Sequence, residues 1–487
     1  MLLTAVHQQA VNRPQAPAIR QDDQVLTYGD LWRWSSAVAK QLQTEGFRVG
    51  DRLVFMVDNS PEYVVMLLAT WMAGGVVVPL SHQIKSRDLL KVTGHVDSPW
   101  VFVASKANLA VKKFVGVDAS SLKILDFEFL QGMEVEAALP LHDAAHDECL
   151  IIYTSGTTGD PKGVTLTHEA LFTNLTSITE YLEIQADDCI LSVLPFHYSY
   201  GNSVLLTHLI SGAALEIGAS MMFPQQVVEQ LRQSHISSFS GVPTTYTLLL
   251  GKTDFANKSP QLRYVTQAGG AMAPSTADKL CVAMPNTQVI IMYGQTEASA
   301  RLTWLPADQI ADKRGSAGRA IPGVVLQIRD ERGLPVEPGI KGEVFAQGGN
   351  LMKGYWRNPE ATNRTLIDGW LKTGDMGHLD KDGYLYLQGR QSEMIKAGAH
   401  RIFPGEIEEV LLELDAVLEA AVVGVPDELM GQTIRAYVVA KGVEQNTRDL
   451  MRYCKEQLPL FKMPKDVVWV ESLPKTSSGK IQKHLLS

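Results

Sequence analysis

In Tyr153-Thr-Ser-Gly-Thr-Thr-Gly-Asp-Pro-Lys-Gly-Val164 three glycines and four hydroxyl side chains stand almost side by side, directly after the apolar run CLII. A loop of this kind can wrap phosphates with backbone N–H groups and hydroxyl donors, and Lys162 adds a positive charge. Thr154, Ser155, Gly156, Thr157, Thr158 and Gly159 are the residues it would use. It is not a Walker A loop, because no Gly-Lys-Ser/Thr follows at the required spacing. With residue types used at roughly 7% each, ten specified positions recur by chance on the order of once in 10¹² starts, which sets aside a plain surface turn. A second cluster, Tyr293-Gly294-Gln295-Thr296-Glu297, follows the apolar run VIIM. It therefore ends a strand of the kind at whose carboxyl end open α/β sheets bind ligands. Near the C-terminus, Lys480 lies in Pro474-Lys-Thr-Ser-Ser-Gly-Lys-Ile-Gln-Lys483.

Other chemistries are absent or weak. No GxSxG, HExxH, CxxC or GxGxxG pattern occurs, which removes the common hydrolase, metalloprotease, zinc and dinucleotide alternatives. His142-Asp143-Ala-Ala-His146-Asp147 has metal-like i, i+4 spacing, but it lies in a polar linker started by proline with no third ligand nearby. Four cysteines, Cys149, Cys189, Cys281 and Cys454, are scattered without a paired framework. They read as buried thiols of a reducing compartment.

The elements that must position these residues are legible in the apolar pattern. Short runs such as VVVPL at 76, WVFVAS at 100, CLIIYTS at 149 and QVIIMYG at 288 alternate with amphipathic helical segments, as in α/β folds with largely parallel sheets. Tyr63 to Leu80 is uncharged and near the ~18-residue threshold for a membrane span. Asn59-Ser60-Pro61 marks a helix start, Gly74-Gly75 a stop and Val76-Val77-Val78 a buried strand, so the run is a helix feeding a strand. From about residue 320 the texture turns to Gly-punctuated, alternating segments that suggest a hairpin-rich β unit. After Arg390 a third texture begins, with helices at EIEEVLLEL and RDLMRYCKEQLP and paired strands at LEAAVVGVPD and TIRAYVVAKG. At 487 residues, with 45% hydrophobic and 20% charged, the chain has room for at least two cores of an ordinary globular protein. Its formal charge of −9 argues against a nucleic-acid partner bound through a general basic surface. The N-terminal residues lack the basic and apolar regions of a secretory signal, so a cytoplasmic protein without a transmembrane segment is expected.

The 153–164 segment resembles the phosphate loop of the adenylate-forming (AMP-binding) superfamily, which includes acyl-CoA synthetases, aryl-CoA ligases, peptide-synthetase adenylation domains and firefly luciferase. The resemblance extends over the chain: LTYGDL at 26, GDRLVFMVDNSPEYVV at 50 and AGGVVVPL at 73 are similar to the family's N-terminal signatures, and the later motifs keep the family's order. It implies a large N-terminal domain, residues 1–390, of doubly wound, mostly parallel sheets plus a β-rich subdomain. A small mobile α+β domain, residues 391–487, would carry the catalytic lysine as a lid. The implied activity is ATP-dependent conversion of a carboxylic acid to an acyl-adenylate, followed by acyl transfer to a thiol.

The resemblance also implies roles. Glu297 holds Mg²⁺, Thr296 contacts phosphate, Tyr293 covers the adenine with Gly294 and Gln295 beside it, and Gly269-Gly270-Ala271 lies along the adenine and the acyl group. Asp375 in Thr373-Gly-Asp accepts from both ribose hydroxyls, with Arg390 near the same sugar. Arg401, eleven residues beyond Arg390, approaches the phosphates. Lys480 is the catalytic lysine: a carboxylate is a poor nucleophile toward a polyanion, so a cation must draw both oxygens together at the α-phosphate. Two positions depart from the family pattern. Ser392 stands at the hinge, where most members carry Asp or Lys. Ala399, after Gly398 in the thiol tunnel, replaces a usual glycine.

Pro195-Phe-His-Tyr-Ser-Tyr-Gly201 resembles one wall of the acyl pocket. His197 stands where amino-acid-activating members place an aspartate, which lowers the case for an α-amino acid. Phe239, Val242, Tyr246 and Met292, with Gly269, would complete the pocket. The thiol acceptor is coenzyme A or the phosphopantetheine of an acyl or peptidyl carrier protein. The locally basic residues 451–487 suit the phosphates of the one and an acidic helix of the other. A luciferase-like oxygenase would share every ATP motif, and thiol-dependent AMP release without oxygen separates it. A non-catalytic nucleotide binder would be expected to have lost Lys480 or Glu297, and both are present.

Overall fold

The computed structural model describes residues 1–104, 122–125, 144–154, 162–398, 400–427, 430–442, 446–476 and 479–486. By contacts the chain forms two compact units. One comprises Met1–Gly218, Gln295–Arg301 and Gly348–Leu371, the other Ala219–Gly294, Leu302–Gln347 and Lys372–Ser487.

In the first unit the apolar runs become a buried sheet. The strands Glu148–Thr154, Val76–Leu80, Arg52–Met56, Trp100–Val103 and Lys123–Leu125 lie in that order, all parallel. The edge is antiparallel: Lys162–Thr167 pairs with Glu148–Thr154, and Gly354–Tyr355 pairs with Lys162–Thr167. The uncharged run at 63–80 is the expected helix and strand. Ser60 accepts from the Tyr63 N–H at 3.1 Å and Pro61 occupies the first turn of the helix Pro61–Met72. Every residue of that helix except Glu62 is buried, which its apolar content on all faces requires. Trp71 Nε1 donates to the Cys149 carbonyl at 2.7 Å and ties the helix to the strand that leads into the phosphate loop. A second parallel group, Cys189–Ser192, Ala214–Ile217 and Pro17–Gln21, ends in an antiparallel strand, Gln24–Thr27.

In the second unit, Ser238–Gly241, Tyr264–Gln267 and Gln288–Tyr293 are parallel neighbours, and Thr303–Leu305 runs antiparallel to the last of them. The Gly-punctuated segment forms a sheet of Val324–Arg329, Gly342–Gly348, Trp370–Leu379 and Leu385–Arg390. Residues 395–469 carry a sheet of their own, with Val417–Asp427 and Gly431–Ala440 antiparallel and Asp466–Trp469 parallel to the latter. The helices Pro404–Glu413 and Thr447–Gln457 cover it, and Ile407, Leu411, Val422, Ala436 and Leu450 form part of its core. The architecture is therefore α/β with mixed sheets, a large N-terminal part and a small α+β C-terminal part. Among the described residues no helix is long and apolar enough to cross a membrane. One expectation is corrected: Cys149, Cys189 and Cys454 are buried thiols, but Cys281, on the outer helix Pro274–Ala283, is only half-buried.

Candidate active site

Residues 155–161 lie outside the described residues, and with them Ser155, Gly156, Thr157, Thr158 and Gly159. Thr154 and Lys162 face each other across the antiparallel pair, so the chain leaves and re-enters the sheet at one point. The Lys162 ammonium sits 5.1 Å above the Tyr355 ring. In the same unit, Thr296 and Glu297 occupy the short 3₁₀ turn Thr296–Ala298. Tyr355 Oη donates to Glu297 Oε1 at 2.8 Å, and Thr296 Oγ1 lies 3.2 Å from Ser199 Oγ at the start of the helix Ser199–Ser211. The described side chains around Glu297 that could ligate are a carboxylate and hydroxyls. Such hard oxygen donors fit Mg²⁺, with Glu297 as the candidate ligand. The Gln295 amide nitrogen is buried without a protein partner.

The ribose candidates meet in the second unit. Asp375 and Arg390 are cross-strand partners in the pair Trp370–Leu379 and Leu385–Arg390, with Arg390 Nε 3.4 Å from Asp375 Oδ1. Tyr293, at the end of its strand, donates its hydroxyl to Asp375 Oδ2 at 2.6 Å. Thr373 braces the strand: its Oγ1 accepts from the Asp375 N–H and donates to the Val344 carbonyl. Burial raises the Asp375 carboxyl above the usual carboxylate range, against the opposing pull of Arg390, the Tyr293 hydroxyl and Lys480. Burial and the Asp375 charge push the Tyr293 phenol well up.

Lys480 is carried on a short hairpin. Lys475 bridges Ile481, Thr476 N–H donates to the Lys480 carbonyl at 2.8 Å, and Gln482 N–H donates to the Pro474 carbonyl at 2.8 Å. Gly479 turns the chain at φ +81°, and its carbonyl accepts from Thr244 Oγ1 at 2.9 Å. Two ion pairs anchor the tail: Lys475 to the buried Glu419 at 2.5 Å, and Lys483 to Glu408 at 2.8 Å and Glu393 at 3.4 Å. Burial opposes the Lys483 charge, but the two carboxylates outweigh it and hold the ammonium above its usual range.

Gly269, Gly270 and Ala271 form an exposed loop after the strand Tyr264–Gln267, with Gln267 Nε2 donating to the Gly270 carbonyl at 2.8 Å. Of the acyl candidates in this unit, Phe239 and Tyr246 are fully buried and meet edge to face at 6.0 Å, while Val242 and Met292 are nearly so. Tyr246 Oη donates to the Thr266 carbonyl at 2.7 Å. In the first unit, His197 leans on Tyr198, and its Nε2 is buried without a protein partner. Burial, and then the charge of His82, lower its pKa to about 4. Ser392 is exposed in the turn Gln391–Glu393. Gly398 donates its N–H to the Met430 carbonyl, and Ala399 lies outside the described residues. Arg401 is on the surface, paired with Glu331 at 2.8 Å, and the structure does not bring it to Asp375. His142 and Asp143 lie outside the described residues, and His146 pairs with Glu169 at 2.9 Å.

The family model described as AMP-binding enzyme matches residues 6–356, and the AMP-binding enzyme C-terminal domain matches residues 406–480. The chain belongs to the AMP-binding enzyme family. Among its relatives, a feruloyl-CoA synthase of Amycolatopsis sp is 34% identical over 483 residues, covering 96% of this chain and 95% of that protein. A 2-succinylbenzoate–CoA ligase of Bacillus cereus is 31% identical over 98% of this chain and 96% of its own. The solved o-succinylbenzoate coenzyme A synthetase of Bacillus subtilis, in complex with ATP and magnesium ion, superposes with a TM-score of 0.88. It is 29% identical, over 99% of this chain and 98% of that one.

Sequence reasoning missed several residues of this AMP-binding enzyme that touch the candidates: Ser199 beside Thr296, Tyr355 on Glu297, and Thr244 on the Gly479 turn. Ser199 lies in the 195–201 segment read as a pocket wall, whereas Tyr355 and Thr244 have no local signal. Tyr355 lies in a two-residue strand, and only its pairing with Lys162–Thr167 brings it within reach of Glu297.

Proposed function

We propose that this AMP-binding enzyme is an AMP-forming acid–thiol ligase that activates an aromatic carboxylic acid and transfers the acyl group to coenzyme A. The full-length similarity to CoA ligases, with Glu297, Asp375 and Lys480 all retained, carries this reading. The names of those relatives favour coenzyme A over a carrier protein and supply the aromatic class. Val242, Met292 and the buried aromatics behind them suit an apolar acyl group.

In the first step the acid's carboxylate attacks the α-phosphorus of ATP, and pyrophosphate leaves. Lys480 draws the two anions together and offsets charge building in line. Asp375 holds the ribose hydroxyls, kept oriented by Tyr293 and Arg390. Thr154, Ser155, Gly156, Thr157, Thr158, Gly159 and Lys162 hold the pyrophosphate portion, with Thr296 on the same phosphates. Glu297 would hold magnesium, which would supply charge neutralisation for the phosphates. In the second step the thiol attacks the acyl carbon of the mixed anhydride and AMP departs. For this, residues 391–487 rotate about Ser392, removing Lys480 and presenting Gly398 and Ala399 to the pantetheine arm. Four free cysteines suit a cytoplasmic enzyme.

The test is acid-dependent pyrophosphate release over hydroxycinnamic, benzoic, aliphatic and amino acids, with mass detection of the thioester after coenzyme A is added. An aromatic acid that yields its CoA thioester supports the reading. Thioester formed only on a holo carrier protein, or only from an aliphatic or amino acid, overturns the acceptor or the substrate class respectively.

A further inference from the structure

The turn that carries Glu297 is held in an unfavourable backbone conformation. Ser299, two residues on, has φ +65° and ψ −53°, and Ala300 N–H donates to the Ala298 carbonyl at 2.7 Å, which is a γ-turn of the strained hand. A conformation of this kind persists only where its surroundings over-determine it. Here they do. Asn350, fully buried, donates its side-chain amide to the carbonyls of Ala298 and Arg301 at 3.1 and 3.0 Å, and its backbone carbonyl accepts from Ser299 Oγ at 2.8 Å. Asn174 donates to the Arg301 carbonyl at 2.9 Å and accepts from the Arg301 N–H at 3.2 Å.

The same segment continues to the carboxylate. Met352 N–H donates to the Glu297 carbonyl at 2.8 Å. Lys353 and Trp356 N–H groups bond to Thr165 and Gly163, so Tyr355 is locked against the strand Lys162–Thr167. From there Tyr355, 8% exposed, reaches Glu297 Oε1 with its hydroxyl while its ring lies under the Lys162 ammonium. One tyrosine thus touches both the carboxylate expected to hold the metal and the lysine expected to meet phosphate.

We propose that Tyr355 is a positioning residue for the metal: its hydroxyl occupies Glu297 Oε1 and turns Oε2 toward the cation, while Asn350 holds the strained turn in place. This rests on Glu297 being the metal ligand. Groups that orient a ligating carboxylate in this way are worth about tenfold or more in metal affinity. Tyr355→Phe removes only the hydroxyl and keeps the ring against Lys162.

The experiment compares wild type, Glu297→Gln and Tyr355→Phe by Mn²⁺ electron paramagnetic resonance titration in the presence of a non-cleavable ATP analogue. Pyrophosphate release against Mg²⁺ concentration is measured in parallel. Expected are a large loss of Mn²⁺ affinity in Glu297→Gln and about a tenfold loss in Tyr355→Phe. The Mg²⁺ half-saturation point of the latter should rise in parallel, with turnover recovering at saturating Mg²⁺. Wild-type Mn²⁺ affinity in Tyr355→Phe beside weakened Glu297→Gln overturns the positioning role alone. Wild-type affinity in Glu297→Gln overturns the metal assignment beneath it. Turnover in Tyr355→Phe that saturating Mg²⁺ does not restore assigns the hydroxyl to the fold instead.

Discussion

Replacing Tyr293 by phenylalanine keeps the ring and removes one hydrogen bond, the 2.6 Å donation to Asp375. Asp375 is a buried carboxyl already raised by burial, so each group that favours its ionised form counts. A hydrogen bond to a charged group contributes about 1.5–3 kcal/mol, and its loss shifts the balance toward the protonated acid by roughly tenfold to a hundredfold. In the ribose-binding role proposed for Asp375, only the carboxylate can accept from both hydroxyls. Lowering the pH therefore raises the KM for ATP, and in Tyr293→Phe that rise begins at higher pH. On the acid side the KM ratio of variant to wild type should approach about 10–100, and on the alkaline side it should return to near one. The assay is initial-rate pyrophosphate release against ATP across pH, with Asp375→Asn as the reference lacking the titrating group. Stability follows the same sign. A carboxyl whose folded pKa is raised binds its proton more tightly in the folded state, so stability falls as pH rises from the unfolded value through the folded one. Tyr293→Phe should accordingly lose more thermal stability at neutral than at acid pH. A variant whose acid limb superposes on wild type, or a limb that survives in Asp375→Asn, refutes the reasoning.

Gly479→Ala places a methyl group at φ +81°, about 1–2 kcal/mol unfavourable for an L-residue, with Thr244 Oγ1 3.0 Å from the new Cβ. Adenylation should fall about tenfold while thiol transfer from a supplied acyl-adenylate is unchanged, by stopped-flow comparison of the two steps. Lys475→Met leaves the buried Glu419 unpaired and should cost about 3–5 kcal/mol of stability by denaturant titration, with Glu419→Gln in the same chain recovering most of it. His197, lowered to about 4, stays neutral from pH 5 upward, so His197→Asn should alter the KM for the acid without moving the acid limb assigned to Asp375. Ala399→Gly should speed the thiol step and leave adenylation unchanged, and a change confined to adenylation removes Ala399 from the tunnel.

The local elements were legible because their signals are local. Ser60 and Pro61 announced a helix start, and the parallel strands around 76, 100, 149 and 288 followed from short apolar runs. The paired strands and two helices after Arg390 came out as written in the pattern. The resemblance of the 153–164 loop and of the later motifs, in their order, to the adenylate-forming superfamily pointed to the family and its chemistry. What stayed hidden depends on pairing across long stretches of chain. Lys483 reaches Glu393 and Glu408, Thr244 holds Gly479, and Asn350 clamps the turn after Glu297. Such contacts have no period and no fixed spacing. For the acyl candidates, apolar residue type alone does not separate a core side chain from one that faces ligand, and Phe239 is fully buried.

The central claim is that Lys480 drives formation of an acyl-adenylate that coenzyme A then consumes. Rapid-quench single turnover with ATP and a responding acid tests it, first without coenzyme A and then after adding it, in wild type and Lys480→Ala. Wild type should accumulate acyl-adenylate with one equivalent of pyrophosphate, then convert it to thioester and AMP. Lys480→Ala should form adenylate about 10²–10³-fold more slowly yet still transfer a supplied adenylate to coenzyme A. Thioester appearing without any adenylate, or Lys480→Ala forming adenylate at the wild-type rate, would contradict the claim.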